Sequence, residues 1–256
     1  RREANLLLNR YLVESREPAH LAGLAALPLF ISIRAAIRAK VTVAGLAYLE
    51  ADGRERALED CRRYFSLAEA VLTRAPPRLV AIGGLSGSGK STLAAALAPL
   101  IGGPPGAVHL RSDVIRKQLF GVAETERLPN SAYDAAASAA VYERMYRDAR
   151  TVLAAGWPVI VDAVHQRRHE RATAAALAAE AGVPFAGLWL SAPLARLTAR
   201  VEARRGDASD ADARVVAMQA ARETGDVGAE PGWHAIDADG PPDEILARAR
   251  QVLGSS

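Results

Sequence analysis

Residues 79–92 read LVAIGGLSGSGKST, and this run decides the fold. A short apolar stretch, 79–82, gives way to Gly84-Leu85-Ser86-Gly87-Ser88-Gly89-Lys90-Ser91, which fits G-x-x-x-x-G-K-[ST] without a mismatch. Glycines at 84, 87 and 89 let the backbone close around phosphate oxygens where side chains would collide. The loop N–H groups and the N-terminus of the following helix both present positive dipole to an anion. Leu93, Leu97 and Leu100 mark that helix as amphipathic. The chain has three lysines, Lys40, Lys90 and Lys117, and one of them falls on the motif position. Lys90 is expected to reach the β- and γ-phosphates, and the Ser91 hydroxyl to coordinate Mg²⁺. The expected nucleotide contacts are Gly84, Ser86, Gly87, Ser88, Gly89, Lys90, Ser91 and Thr92. No guanine-specificity motif N/T-K-x-D is present, which points to ATP.

Outward from the loop, short apolar runs at 158–161 and 185–190 alternate with helix-like segments, and 107–110 and 233–236 are weaker strand candidates. This pattern predicts an α/β fold: a parallel sheet of about five strands flanked by helices. Tyr142, Met145, Tyr146, Ala149, Val152 and Leu153 share one face of a helix over 139–153. Pro76-Pro77 is the clearest seam, dividing an all-helical segment 1–75 from the α/β domain 76–256. In the first part, Ile33, Ile37 and Val41 at spacing four mark one helix, and Leu58, Cys61, Phe65, Leu67 and Leu72 suggest another. Asp52-Gly53 reads as a turn between them.

Composition narrows the class. Half of the 256 residues are hydrophobic and 24% are charged, as in soluble globular proteins. No apolar run comes near the ~20 residues that span a bilayer, so no membrane partner is expected. The N-terminus lacks a signal-peptide layout, and the absence of an initial Met reads as a fragment or a processed chain. One cysteine, Cys61, excludes an internal disulfide and fits a reducing cytoplasm. Residues 1–75 carry 12 basic against 9 acidic side chains, which leaves 20 against 20 in residues 76–256. A neutral loop-bearing part argues against a long nucleic acid as partner.

Three further stretches carry chemistry. In HLRSDVIRKQLFG, 109–121, Asp113 follows a strand end, where open α/β sheets bind ligands. Asp113 would take a proton from an attacking hydroxyl or merely cap a helix, and Arg116 one turn on would hold an anion. In PVIVDAVHQRRHER, 158–171, Asp162 ends a strand and is placed to hold magnesium or, instead, to contact the substrate. His165 and His169 share a helical spacing but lack the glutamate and third ligand of a zinc site, so they read as surface or crevice residues. In 199–216, Arg200, Arg204 and Arg205 precede a polar loop rich in aspartate, as in a lid, or form a solvated ion-paired face.

Together these stretches resemble the P-loop small-molecule kinase group that includes gluconate kinase, chloramphenicol phosphotransferase, zeta toxin and polynucleotide kinase. The resemblance spans roughly residues 78–237. It implies Asp113 as general base, Arg116 as substrate or phosphate contact, and Arg204 as a lid arginine, with Lys90 completing the catalytic set. Asp162-Ala163-Val164 lacks the hydroxyl or amide that relatives carry there, so the acceptor does not transfer. Residues 1–75 resemble the C-terminal helices of an aminoglycoside-phosphotransferase-like domain, as found in bifunctional phosphotransferase/ATP-binding proteins. That domain's catalytic motifs have no match before residue 76. The implied activity is ATP- and Mg²⁺-dependent transfer of the γ-phosphate to a hydroxyl of a small molecule. The competing readings are a 5′-hydroxyl polynucleotide kinase and a nucleotide-binding switch module with no acceptor.

Overall fold

The computed structural model describes residues 1–73, 75–204, 206–222 and 224–254. Four helices come first: α1 (Arg2–Ser15), α2 (Pro18–Gly23), α3 (Leu27–Gly45) and α4 (Ala51–Ala70). The chain then alternates: β1 (Leu79–Gly84), α5 (Lys90–Leu97), β2 (Val108–Arg111), α6 (Ser112–Leu119), α7 (Ala135–Ala154), β3 (Val159–Asp162), α8 (Arg168–Glu180), β4 (Phe185–Ser191), α9 (Leu194–Ala203), α10 (Ala213–Ala220), β5 (Trp233–Asp237) and α11 (Pro242–Gly254). All five expected strands form, the two weaker ones included. They make one parallel sheet in the order β2-β3-β1-β4-β5.

Alternation along each strand builds the two core layers. Leu79 and Ala81 of β1, with Val159 and Val161 of β3, pack on α7 and α8 through Met145, Val152 and Leu177. Val80, Ile82 and Ile160 face the opposite way, onto Leu93 and Leu97 of α5 and Ile245 of α11. Burial on both faces is the reason these strands are nearly continuous apolar runs.

The helical segment behaves as two parts. α1 lies along the exposed edge of β2: Asn9 donates to the Ala107 carbonyl at 3.2 Å and accepts from the His109 amide at 2.7 Å. Asn5 donates to the same carbonyl at 3.0 Å. Two asparagine amides thus occupy hydrogen-bonding positions that an edge strand otherwise leaves open to a foreign strand. Leu21 of α2 and the following Leu24 enter the α7 side of the core. α3 and α4 instead pair mainly with each other, and Cys61 of α4 reaches the Ala39 carbonyl of α3; Ala35, Ala39 and Ala68 are buried.

Two expectations are corrected here. Asp52-Gly53 is no turn; it lies in the first turn of α4, where Asp52 complements the helix dipole. The helical spacing read in 27–72 is present as helices, and on them Ile33, Ile37, Val41, Phe65 and Leu72 stay exposed. The segment Pro18–Tyr48 is also long and apolar enough to cross a membrane by length and composition, contrary to the expectation that no run approaches that length. From Leu21 to Ile37 only Arg34 carries a charge, and that single charge hides the run from a count of uninterrupted apolar residues.

Candidate functional site

The C-terminal ends of β1, β3 and β2 lie level, with Ile82 opposite Asp162 and Asp162 opposite Arg111. The loop after β1, the acid ending β3 and the helix after β2 therefore open onto one crevice.

Close packing explains why the loop is glycine-rich. Gly84 has φ +137°, and a Cβ there would sit 2.4 Å from the Leu190 carbonyl oxygen. Gly87 has φ +83°, and its Cβ would sit 2.4 Å from the Leu197 oxygen at α9. Both positions need left-handed backbone and close approach, which only glycine supplies without strain. Gly89, also at positive φ, has open space where a side chain would be, on the cavity side. The buried Ser86 amide donates to Oε1 of Gln219 in α10 at 2.9 Å. The buried Ser88 hydroxyl has no partner among the described residues.

Lys90 opens α5, and its ammonium donates to the Leu85 carbonyl at 3.0 Å. Burial pulls its pKa below the ordinary lysine value, against the opposing pull of Asp162 and Asp113. Asp162 is nearly inaccessible and accepts from His109 Nε2 at 3.1 Å and from the Ser91 hydroxyl. Burial alone would raise its pKa. The hydrogen bond and charge of His109, the charge of Lys90 and the Ser91 hydroxyl outweigh burial and hold it down at about 2. A buried carboxylate kept anionic beside a hydroxyl is a hard oxygen donor pair, which fits Mg²⁺.

Asp113, in the first turn of α6, lines a cavity of 360 Å³ together with Lys90, Ser91, Thr92 and Arg204. Arg204 also borders a second cavity of 480 Å³ that runs over Gly87 and Thr92 to Pro242 and Leu246 of α11. Its guanidinium stands 3.4 Å from Asp207. Arg205 lies outside the described residues. Arg116 is placed elsewhere: it is buried, donates to the Ala132 carbonyl at 2.6 Å and stacks over Tyr133 at 4.8 Å. The i, i+3 spacing sets it on the same helix as Asp113 but aims it at the 130–133 turn.

His165 and His169 do not share a helix. His169 is exposed on α8, whereas His165 precedes it at φ 49° and is fully buried, so it is no crevice residue. Among the described residues no cluster of metal-ligating side chains forms.

Several residues at the site escaped sequence reasoning. His109 and Arg111 lie on the short β2, and both approach Asp162, Arg111 at 3.9 Å. Arg111 also bonds Asp207 at 2.7 Å. Gln166 donates to the Gln219 carbonyl at 2.6 Å, linking the loop after β3 to α10. Behind it, the inaccessible Arg171 makes a two-pronged bond to Glu230, at 2.6 and 2.8 Å, and donates to the carbonyls of His165, Gln166 and Thr224. The alternation of H-L-R in β2 was the available signal for the first pair. The others are long-range pairings that no local pattern encodes.

Comparison with known proteins agrees with this architecture. Residues 79–224 match a family model described as an AAA domain. An uncharacterized protein of Mycobacterium tuberculosis is 34% identical over 232 residues, covering 89% of this chain and 44% of that protein. The chain thus spans less than half the length of the curated relatives it matches. Among solved structures, a sugar kinase from Janibacter sp. HTCC2649 aligns with a TM-score of 0.50 at 20% identity, over 70% of this chain and 95% of that one. A gluconokinase from Sinorhizobium meliloti aligns over 71% and 94% at 24% identity, with a TM-score of 0.48. With more than half of its length matched, the chain belongs to the AAA-domain family, on a P-loop kinase-like fold.

Proposed function

We propose that the protein is an ATP- and Mg²⁺-dependent phosphotransferase that moves the γ-phosphate to a hydroxyl of a small molecule. The observation that carries this reading is the 360 Å³ cavity, which brings Lys90 of the phosphate loop and Asp113 to the same space. A clamp that only held nucleotide would have no need of a carboxylate facing the loop's lysine. Lys90 and the amides from Gly87 to Thr92 bind the triphosphate, and the 480 Å³ cavity between α9 and α11 receives the base. Ser91 and Asp162 would hold Mg²⁺, which when bound draws charge from the phosphate oxygens. Asp113 accepts the proton of the acceptor hydroxyl as it attacks. Arg204 leaves Asp207 to meet charge on the phosphoryl group in transfer, while Arg116 orders the helix that carries Asp113. Residues 1–75, on their resemblance to the tail of an aminoglycoside-phosphotransferase-like domain, serve as a helical support for the kinase unit 76–256. Consumption of ATP fits a cytoplasmic setting.

The test is transfer from γ-labelled ATP to a library of hydroxyl-bearing metabolites, run with Asp113→Asn alongside. The variant is expected to bind ATP normally and to lose roughly 10²–10⁴-fold in acceptor phosphorylation. Unchanged transfer by Asp113→Asn would remove the base from the mechanism. Hydrolysis that no hydroxyl compound diverts would favour a switch module.

A further inference from the structure

Charge around Asp113 divides into groups already engaged and one that is not. Among the described residues the Asp113 carboxylate has no hydrogen-bond or ion-pair partner, and it faces the cavity. Each nearby cation has at least one partner among the described residues, although Nε of Arg111 and Nε of Arg116 have no hydrogen-bond partner there. Arg111 is ringed by three carboxylates: Asp207 at 2.7 Å, Glu124 at 3.7 Å and Asp162 at 3.9 Å. Lys117, almost fully buried, is held by Asp210 at 2.7 Å and by the Glu126 carbonyl. Arg116 is spent on the Ala132 carbonyl and the Tyr133 ring. Lys90 and Arg204 border the phosphate loop and meet the triphosphate on the reading above.

The polar lid loop supplies two of these partners, Asp207 and Asp210. Asp210 also accepts from the Leu128 amide at 3.0 Å and the Tyr133 hydroxyl at 2.5 Å. With the loop seated as it is here, Asp207 covers the one partly exposed cation at the end of β2. What remains unpaired and facing the acceptor is a carboxylate, with the Ser209 hydroxyl on the cavity wall.

We infer that the acceptor is an uncharged or cationic polyhydroxylated compound, a neutral sugar or an aminosugar in chemical class, and not one bearing phosphate or carboxylate. The inference rests on the phosphotransfer reading and narrows it. An anionic group brought beside Asp113 meets like charge, and the described cations around it already have partners, which disfavours binding by at least roughly tenfold. An ammonium group gains from the same carboxylate. A nucleic-acid 5′ end, flanked by phosphates, is disfavoured on the same ground.

The test needs no knowledge of the acceptor. The full chain is saturated with Mg²⁺ and a non-hydrolysable ATP analogue, then titrated calorimetrically with inorganic sulfate. The wild type is expected to bind no sulfate beyond what competes with nucleotide. Asp207→Asn, which uncovers Arg111, is expected to gain a sulfate site at least about tenfold tighter. A matched trio of glucose, glucosamine and glucuronate, scored by ADP release, is expected to rank the first two above the third. A nucleotide-independent sulfate site in the wild type, or no gain in Asp207→Asn, would overturn the inference. Asp113-dependent phosphorylation of glucuronate above the other two would also overturn it, and would leave phosphotransfer standing. Failure to bind the ATP analogue would strike the phosphotransfer reading itself, and the inference with it.

Discussion

The phosphate-loop end of the sheet and the α3–α4 hairpin are both built from short-range helical and turn structure, yet they are held in opposite ways. At the loop, distant residues hold the Gly84 and Ser86 amides. Gly87 is pressed against the α9 carbonyl of Leu197, and Gln219 holds the Ser86 amide across 133 residues of sequence. The hairpin relies on nearer neighbours in sequence: Cys61 reaches the Ala39 carbonyl, and Arg54 ties the connecting turn through the Leu46 and Leu49 carbonyls. Its other faces present Phe30, Ile33 and Val41 to solvent. Over-determined geometry suits a site where small displacements cost rate, whereas a locally held element tolerates change. The two regions should therefore respond differently to substitution.

The largest effect is expected at Lys90. Lys90→Ala removes the cation aimed at the phosphates and should lower turnover by roughly three orders of magnitude, about 4 kcal/mol. Its melting temperature should hold or rise, since a desolvated ammonium is lost. Steady-state kinetics beside calorimetry check both halves. A variant that lost stability instead of turnover would make Lys90 a structural residue and erase the contrast.

Next comes the network behind the site. Glu230→Ala leaves the Arg171 guanidinium buried without its carboxylate, at a cost of about 3–5 kcal/mol in stability. Urea denaturation measures it. A loss under about 1 kcal/mol would mean that the carbonyls of His165, Gln166 and Thr224 suffice for Arg171, and that the loop after β3 is less tightly determined than its bonding suggests.

A pH effect of intermediate size follows from His165. Burial pulls its pKa from 6.5 to about 3, against some support from Asp162. The folded state thus keeps His165 neutral where the unfolded chain takes up a proton. This contribution to stability is whole above pH 6.5 and falls as pH drops through the window from 6.5 to about 3. By pH 5 the loss should be about 2 kcal/mol. His165→Leu should flatten the profile in that window. An unchanged profile would assign the acid sensitivity to other groups.

How far the sequence foretells these regions follows from the range of the interactions. The phosphate loop, the five strands and the carboxylates Asp113 and Asp162 announce themselves because motif spacing and apolar alternation are local. His109, Arg111 and Gln219 do not, since their roles exist only once strands align and α10 folds back on the loop. Arg116 was legible as a helix position but not as an orientation, which the 130–133 turn decides. In the hairpin the same local logic stops short: apolar spacing at Ile33, Ile37 and Val41 signals a helix correctly and does not tell that this face stays exposed.

The smallest effect is therefore expected on that face. Phe30→Ser and Ile37→Ser replace exposed apolar side chains that touch little in the chain, and each should change stability by no more than about 0.5 kcal/mol. Turnover should be unaltered, because α3 reaches neither cavity. Chemical denaturation at two protein concentrations tests this. If either serine cost about 2 kcal/mol or more, the face must be covered in solution. A melting temperature that rises with concentration in the wild type, and not in the variant, would identify a second copy as the cover. The contrast between the regions would then lie between contacts made within one chain and contacts made across two.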